Sequence, residues 1–375
     1  MKIAYLSSAA VPSNSAHSLQ VMKMCQAMQQ EGHAVTLILP PAEGKSAAED
    51  LNRMYGVEIR FEIHRVNLPP ILGRRGLALA LSGQAARLLP DMVYTRGIDI
   101  AWEAAARGLR TTVEIHALPA GWFGPWYLRM LARNPSVRMI TISRTLEDLL
   151  RREYPALINR PILVAPDAVD LERYRDLPTS RQARARLGFP PERFTAGYFG
   201  SLVAGRGLEQ IIDLAGRLPE VSFHILGGDP TTIERWKRHA SNRENVHWKA
   251  HVPNADLPLY QAACDALLMP YQKEVTIQGK GNTAEIMSPM KLYEYMAAGK
   301  LILASDLPAL RVILNENNSV LLPGDSIDSW AAALEKARRE KAWAGSLAKQ
   351  ARKDVQPHTW RNRVRAIVEF ARGRG

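Results

Sequence analysis

The chain has little cysteine: Cys25 and Cys264 are the only two in 375 residues. Neither stands in a CxxC or Cys/His spacing, so the sequence offers no structural zinc site and no disulfide framework. Cys25 falls on the apolar stripe of an expected helix, and Cys264 lies just before an expected buried strand. Both read as small core residues, which suits a reducing, cytoplasmic setting. No apolar run reaches the length that a membrane-spanning helix needs. The start, Met1-Lys2-Ile3-Ala4-Tyr5-Leu6, is too short for a signal peptide and reads as a first strand. Low-complexity segments and short-period repeats are missing too.

What is present is ordinary globular composition, 46% hydrophobic and 23% charged, which argues against disorder. At roughly 150 residues per domain, the length predicts two or three domains. Lys plus Arg number 49 against 37 Asp plus Glu, a net charge of +12. That excess permits contact with nucleic acid, an anionic membrane or a phosphorylated small molecule, and it equally serves solubility. The charges are spread out and no nucleic-acid-binding motif accompanies them, so nucleic acid is not an expected partner.

Short apolar runs alternate with helical patterns. In the first half, strands are expected at 3–6, 35–39, 93–95, 111–115, 139–142 and 162–164, and in the second at 195–199, 221–226, 246–248, 266–269, 301–304 and 320–322. The runs mostly do not alternate with polar residues, which indicates strands buried on both faces of a parallel sheet. Between the first two strands, Val21, Met24, Cys25 and Met28 repeat at helical spacing. Strand–helix alternation in both halves predicts two doubly wound α/β domains. The boundary is expected in Ala165-Pro166-Asp167-Ala168-Val169-Asp170, with Pro178 and the Arg-rich run at 181–186 reading as a linker into a surface helix.

Ligands of open α/β sheets bind beyond the carboxyl ends of the strands, so the loops there are the candidate sites. Gly200-Ser201-Leu202-Val203-Ala204-Gly205-Arg206-Gly207 follows an expected strand and opens a helix. Glycines allow close backbone approach, a helix N-terminus attracts an anion, and Arg206 adds a bidentate phosphate contact; a plain glycine turn fits the same residues. In Ser288-Pro289-Met290-Lys291-Leu292-Tyr293-Glu294, Ser288 reads as an N-cap and Pro289 as the first helical residue, with Gly299 ending the helix. Glu294 then lies ~7–8 Å along the axis from Pro289, about the distance from a diphosphate to the ribose of the same nucleotide. Capping alone explains the other residues. His116 closes a strand, a position open to either a structural or a catalytic histidine. Ser15, Ala16 and His17 precede the first helix, where Ser15 or Ser18 fits as its cap.

Together these segments, with Gly32-His33-Ala34-Val35 and Val164-Ala165-Pro166-Asp167-Ala168-Val169-Asp170, resemble the retaining glycosyltransferases of family four, and the resemblance covers nearly the whole chain. It implies the GT-B fold, two Rossmann-like domains with a cleft between: residues 1–168 plus 356–375 for the acceptor, and 169–355 for the nucleotide-sugar donor. It implies that Arg206 stands for the usual diphosphate-binding Lys, and that Gly200, Ser201, Gly207, Ser288, Pro289, Met290 and Lys291 complete the donor site. Ser201 occupies a place where many members have Arg. Glu294 matches the second Glu of the family's E-x7-E motif; Ile286 stands where the first belongs, as in a Ser-Pro-x-Lys subset. His116 matches the His near the donor sugar. The loop of Ser15, Ala16 and His17 stands where many members have Gly-Gly. The final helix is expected to return to the first domain.

The activity so implied is metal-independent transfer of a sugar, with retained configuration, from a UDP- or GDP-type donor to a hydroxyl of a glycan, a lipid-linked acceptor or a small molecule. Arg206, Lys291 and His116 form the expected catalytic set. No cofactor is expected, and no Asp-x-Asp motif occurs. A nucleotide-sugar epimerase of the same fold and a non-catalytic nucleotide-sugar binder are the alternatives. Arg74-Arg75, Arg129, Arg133, Arg151-Arg152 and the aromatics Trp122, Phe123, Trp126 and Tyr127 fit either peripheral contact with an anionic membrane or packing in the first domain.

Overall fold

A computed structural model describes residues 1–42, 47–68, 73–241, 243–274, 276–277, 281–282 and 284–373. The chain divides into two compact units, Met1–Asp167 with Trp360–Gly375, and Ala168–Thr359.

In the first unit the strands are β1 (Lys2–Leu6), β2 (Ala34–Leu39), β3 (Glu62–Arg65), β4 (Met92–Thr95), β5 (Thr111–Ile115), β6 (Val137–Thr141) and β7 (Ile162–Val164). They form one sheet in the order β3-β2-β1-β4-β5-β6-β7, with every pairing parallel. β4 and β5 are buried along their whole length, as central strands of a parallel sheet are when helices cover both faces, although β5 carries Thr111, Thr112 and Glu114. The first helix, Ala16–Gln30, is capped by Ser15, whose side chain accepts from Ser18 N. The last helix, Trp360–Ala371, belongs to this unit and packs on the first one. Arg361 reaches Glu31 at 2.6 Å, and Arg365 Nη2 reaches the same carboxylate at 3.0 Å.

The second unit holds β8 (Thr195–Phe199), β9 (Ser222–Leu226), β10 (Val246–Lys249), β11 (Ala266–Met269), the short antiparallel pair β12 (Thr276–Ile277) and β13 (Gly281–Asn282), β14 (Leu301–Ser305) and β15 (Val320–Leu322). Its main sheet runs β10-β9-β8-β11-β14-β15, again all parallel. Trp330, Tyr198, Tyr295 and Phe223 fill its core.

Three expectations need correction. β3 is an additional strand: Glu-Ile-His-Arg lies at the sheet edge, where a solvated face needs no apolar run. β12 and β13 are also additional. The stretch at 181–186 is not a linker but part of the Ser180–Leu187 helix, which opens on a Thr179/Gln182 capping box. Arg184 within it is buried, donating to the carbonyls of Ala263 and Pro191 and pairing with Asp265.

Candidate functional site

In the second sheet, β8 and β11 are neighbours at which the strand order reverses, the place where an open α/β sheet leaves a crevice at its carboxyl edge. The loop after β8, the residues after β11 and the start of the Met290–Ala298 helix meet there. Gly200 N donates to Leu226 O at 2.8 Å. Its φ is +149°, and a Cβ there would stand 2.5 Å from Lys291 Nζ. Glycine is what lets the lysine lie against this backbone. Gly207 (φ +74°) is the N-cap of the Leu208–Arg217 helix, and a Cβ there would meet Pro270 O at 1.8 Å. Gln272 N donates to Gly205 O at 2.9 Å, fastening the loop to the segment after β11.

The charges at this crevice are unusual. Lys291 Nζ lies 4.0 Å from the Tyr198 ring centroid and 5.2 Å from that of Tyr271. The Arg206 guanidinium lies 4.4 Å over the same Tyr271 ring. Among the described residues, Lys291 Nζ and the Nε and Nη1 atoms of Arg206 are buried without a hydrogen-bond partner. Burial, reinforced by Arg206, pushes the Lys291 ammonium well below its usual pKa, with Glu294 pulling the other way. Two half-buried side chains whose cationic ends are sunk against aromatic faces are a binding surface for an anion, which would supply the hydrogen bonds those atoms lack. Tyr198 is fixed by its own hydroxyl, which donates to Ser201 O at 2.8 Å, while Ser201 itself is exposed.

The Met290–Ala298 helix starts one residue later than the sequence suggests. Pro289, not Ser288, is the N-cap; its ψ of 121° is extended, and its side chain caps nothing. The proline ring keeps Ser288 out of the helical region, so Ser288 lies outside the helix and Met290 is its first residue. Gly299 ends it in the left-handed conformation. Glu294 is buried one turn beyond Lys291, and Asn254 Nδ2 donates to its Oε1 at 3.4 Å. Asn254 in turn accepts from Arg173 Nη1 at 2.6 Å. Ile286, where a second carboxylate is absent, is buried.

His116 lies in the first unit, immediately after β5, and its surroundings define its chemistry. Its Nε2 hydrogen-bonds Glu114. Glu114 is fully buried and also takes Gln20 Nε2 at 2.6 Å, the Tyr94 hydroxyl and Arg363 Nη2 at 2.9 Å. Arg96 Nη1 donates to Gln20 Oε1 at 2.9 Å. Burial would raise the Glu114 carboxyl, but Arg363 and His116 outweigh it and hold the pKa well below the ordinary value. Burial and Arg96 push His116 down to about 3. The imidazole is therefore neutral, donates Nε2–H to Glu114, and keeps Nδ1 as an acceptor. Ser15 and Ala16 form the cap and first residue of the Ala16–Gln30 helix, followed by half-buried His17.

Gly200, Arg206 and Lys291, separate in sequence, are thus gathered at one crevice of the second unit, with Gly207 shaping the loop. Sequence reasoning missed Tyr198 and Tyr271; their signal is that Tyr198 stands near the carboxyl end of β8 and Tyr271 two residues past the end of the adjacent β11. It also missed the Glu114, Gln20, Arg96 and Arg363 set around His116. Arg151 is committed to Glu147 and to the Ile158 and Arg160 carbonyls, at 2.8, 2.6 and 3.1 Å, so it is not a lipid contact.

Two family models match the chain: "Glycosyltransferase Family 4" over residues 18–173 and "Glycosyl transferases group 1" over residues 179–354. The D-inositol 3-phosphate glycosyltransferase of Mycobacterium marinum is 25% identical over 244 residues, covering 60% of this chain and 48% of the relative. The chain spans about half the length of the curated relatives it matches. The sucrose-phosphate synthase structure from Thermosynechococcus elongatus shares the fold at TM-score 0.77 and 16% identity, covering 100% of this chain and 99% of that one. The Anabaena HepE structure, in complex with UDP-glucose, does so at TM-score 0.73 and 17% identity, with both chains covered 100%.

Proposed function

Because this chain belongs to the family-four glycosyltransferases of GT-B fold, we propose that it moves a sugar from a nucleotide-diphosphate donor to an acceptor hydroxyl with retention of configuration. The observation that carries this reading is the pair Lys291 and Arg206: Lys291 Nζ, against the Gly200 backbone, and the Nε and Nη1 atoms of Arg206 are buried without hydrogen-bond partners. A donor diphosphate offers the oxygens they need. As the glycosidic bond breaks, negative charge builds on the leaving diphosphate, and preorganised cations stabilise it most there. They supply the charge for which a divalent metal is otherwise used, so the reading is metal-independent.

Glu294 accepts the ribose hydroxyls. HepE, of the same fold, was solved with UDP-glucose, which supports a UDP-type donor over GDP. His116 keeps Nδ1 as an acceptor for a sugar hydroxyl; it orients the donor and is not a nucleophile. With no carboxylate pair assigned to double displacement, the acceptor attacks from the departing phosphate's own face, and that phosphate takes the proton. The acceptor is a hydroxyl of a glycan, a lipid-linked intermediate or a small molecule, used in the cytoplasm at the inner face of the membrane.

The test is thermal stability against UDP, GDP, ADP, CMP and their sugars, with Arg206→Ala alongside. A ligand at 100 times its Kd adds about 2.7 kcal/mol. A shift with one base that disappears in Arg206→Ala is the expected result; no shift with any of them overturns the donor site. Free nucleotide released only when an acceptor is added separates transfer from epimerisation and from binding without chemistry. Glu294→Ala should raise the donor KM and leave kcat nearly alone.

A further inference from the structure

The first unit carries an apolar surface outside the proposed chemistry. Trp122, Phe123 and Trp126 expose 91%, 65% and 45% of their surface. The first two sit in the turn before the Gly124–Arg133 helix, and the third lies within it. Trp126 is anchored from behind: its ring stands 5.2 Å from those of both Trp102 and Tyr127. Leu128, Leu131 and Ala132 turn into the core, so the outward stripe continues as Trp126, Arg129 and Arg133, all exposed. The Gly73–Leu88 helix adds Arg74 and Arg75. Arg74 pairs with Asp99 at 2.6 Å. Neither helix contains an acidic residue.

Large aromatics held out in water beside exposed arginines have a natural complement. A flat apolar patch alone fits many partners, but this one is a protruding tip with a cationic rim. We propose that the Trp122–Phe123 tip inserts into the interfacial layer of an anionic bilayer, while Arg75, Arg129 and Arg133 contact its headgroups. The inference rests on the reading above for its biological sense, since it sets this glycosyltransferase on the surface where a lipid-linked acceptor resides. Its geometry stands independently of the donor site.

The experiment is vesicle flotation of the full chain, using phosphatidylcholine alone and phosphatidylcholine with about one-third phosphatidylglycerol. The native protein should float with the anionic vesicles, less so at high salt, and poorly with the neutral ones. Trp122→Ser/Phe123→Ser should lower the partition coefficient by about tenfold or more. Arg75→Ser/Arg133→Ser should weaken both the binding to anionic vesicles and its salt dependence, leaving the part that Arg129 supplies. Both variants should keep the native nucleotide-induced thermal shift, which reads the donor site separately and reports folding. Absence of native flotation, flotation unchanged by the tip substitutions, or equal binding to both vesicle types would overturn the proposal. So would concentration-dependent self-association that the tip variant abolishes without any vesicle binding.

Discussion

The Lys291 ammonium lies 4.0 Å from the centre of the Tyr198 ring, and no carboxylate comes within ion-pair distance of it among the described residues. The ring face partly replaces water, but a cation–π contact of about 0.5–2 kcal/mol does not cover the desolvation of an ammonium. The free protein therefore carries a cost at this point that an anion relieves.

Lys291→Met should accordingly melt no lower than the native protein, with a gain of about 1 kcal/mol, while losing the diphosphate-induced thermal shift. Calorimetry with and without UDP checks both. A variant that is destabilised and still shifts with UDP would place the anion elsewhere.

The two loop glycines should differ in kind. At Gly200 a Cβ meets the far end of the flexible Lys291, whereas at Gly207 it meets a backbone carbonyl. Gly200→Ala should lose about 1–3 kcal/mol of stability to its backbone conformation and weaken donor binding by displacing Nζ. Gly207→Ala should lose more, because Pro270 cannot move without shifting the chain after β11. Urea midpoints for the two variants give the order.

Removing the Arg363 charge should expose how β5 depends on the last helix. Arg363 and Glu114 are both buried and 2.9 Å apart. Arg363→Met leaves a buried carboxylate without this partner and should cost about 3–5 kcal/mol. Adding Glu114→Gln should recover most of that loss. A single-variant loss below about 1 kcal/mol would mean that Arg96 serves instead.

Histidine 116 sets a slope in the pH dependence of stability. Its pKa is about 3 in the fold against an ordinary value of 6.5. Below pH 6.5 the unfolded chain takes up a proton that the folded one refuses. The contribution of this residue is whole above 6.5 and declines as pH falls toward 3, by up to about 1.4 kcal/mol per unit. His116→Gln should flatten the native curve across that window. His224, also depressed to about 3, retains its own slope, so the difference between the two curves is the quantity to measure.

The parallel sheets were legible because strands such as β11 and β14 are unbroken apolar runs between helical patterns. β3 was not, since Glu62 and Arg65 at a sheet edge look like loop. For the site, glycines and basic residues at strand ends were readable one by one. Their convergence was not, because it depends on β8 and β11 being neighbours, a fact of topology rather than of local pattern. Nor could Glu114 reveal that its charge is answered by Arg363 from the far end of the chain.

Val169 N donates to His358 O at 3.0 Å, and Val169 bridges Thr359. The second unit thus begins and ends at the same spot, as a loop inserted between β7 and the last helix. It is contiguous and its ends already lie side by side, so excising 168–359 would leave two seams at one place in the chain. The first unit has no such freedom, because stopping the chain at 359 removes the arginine that neutralises Glu114.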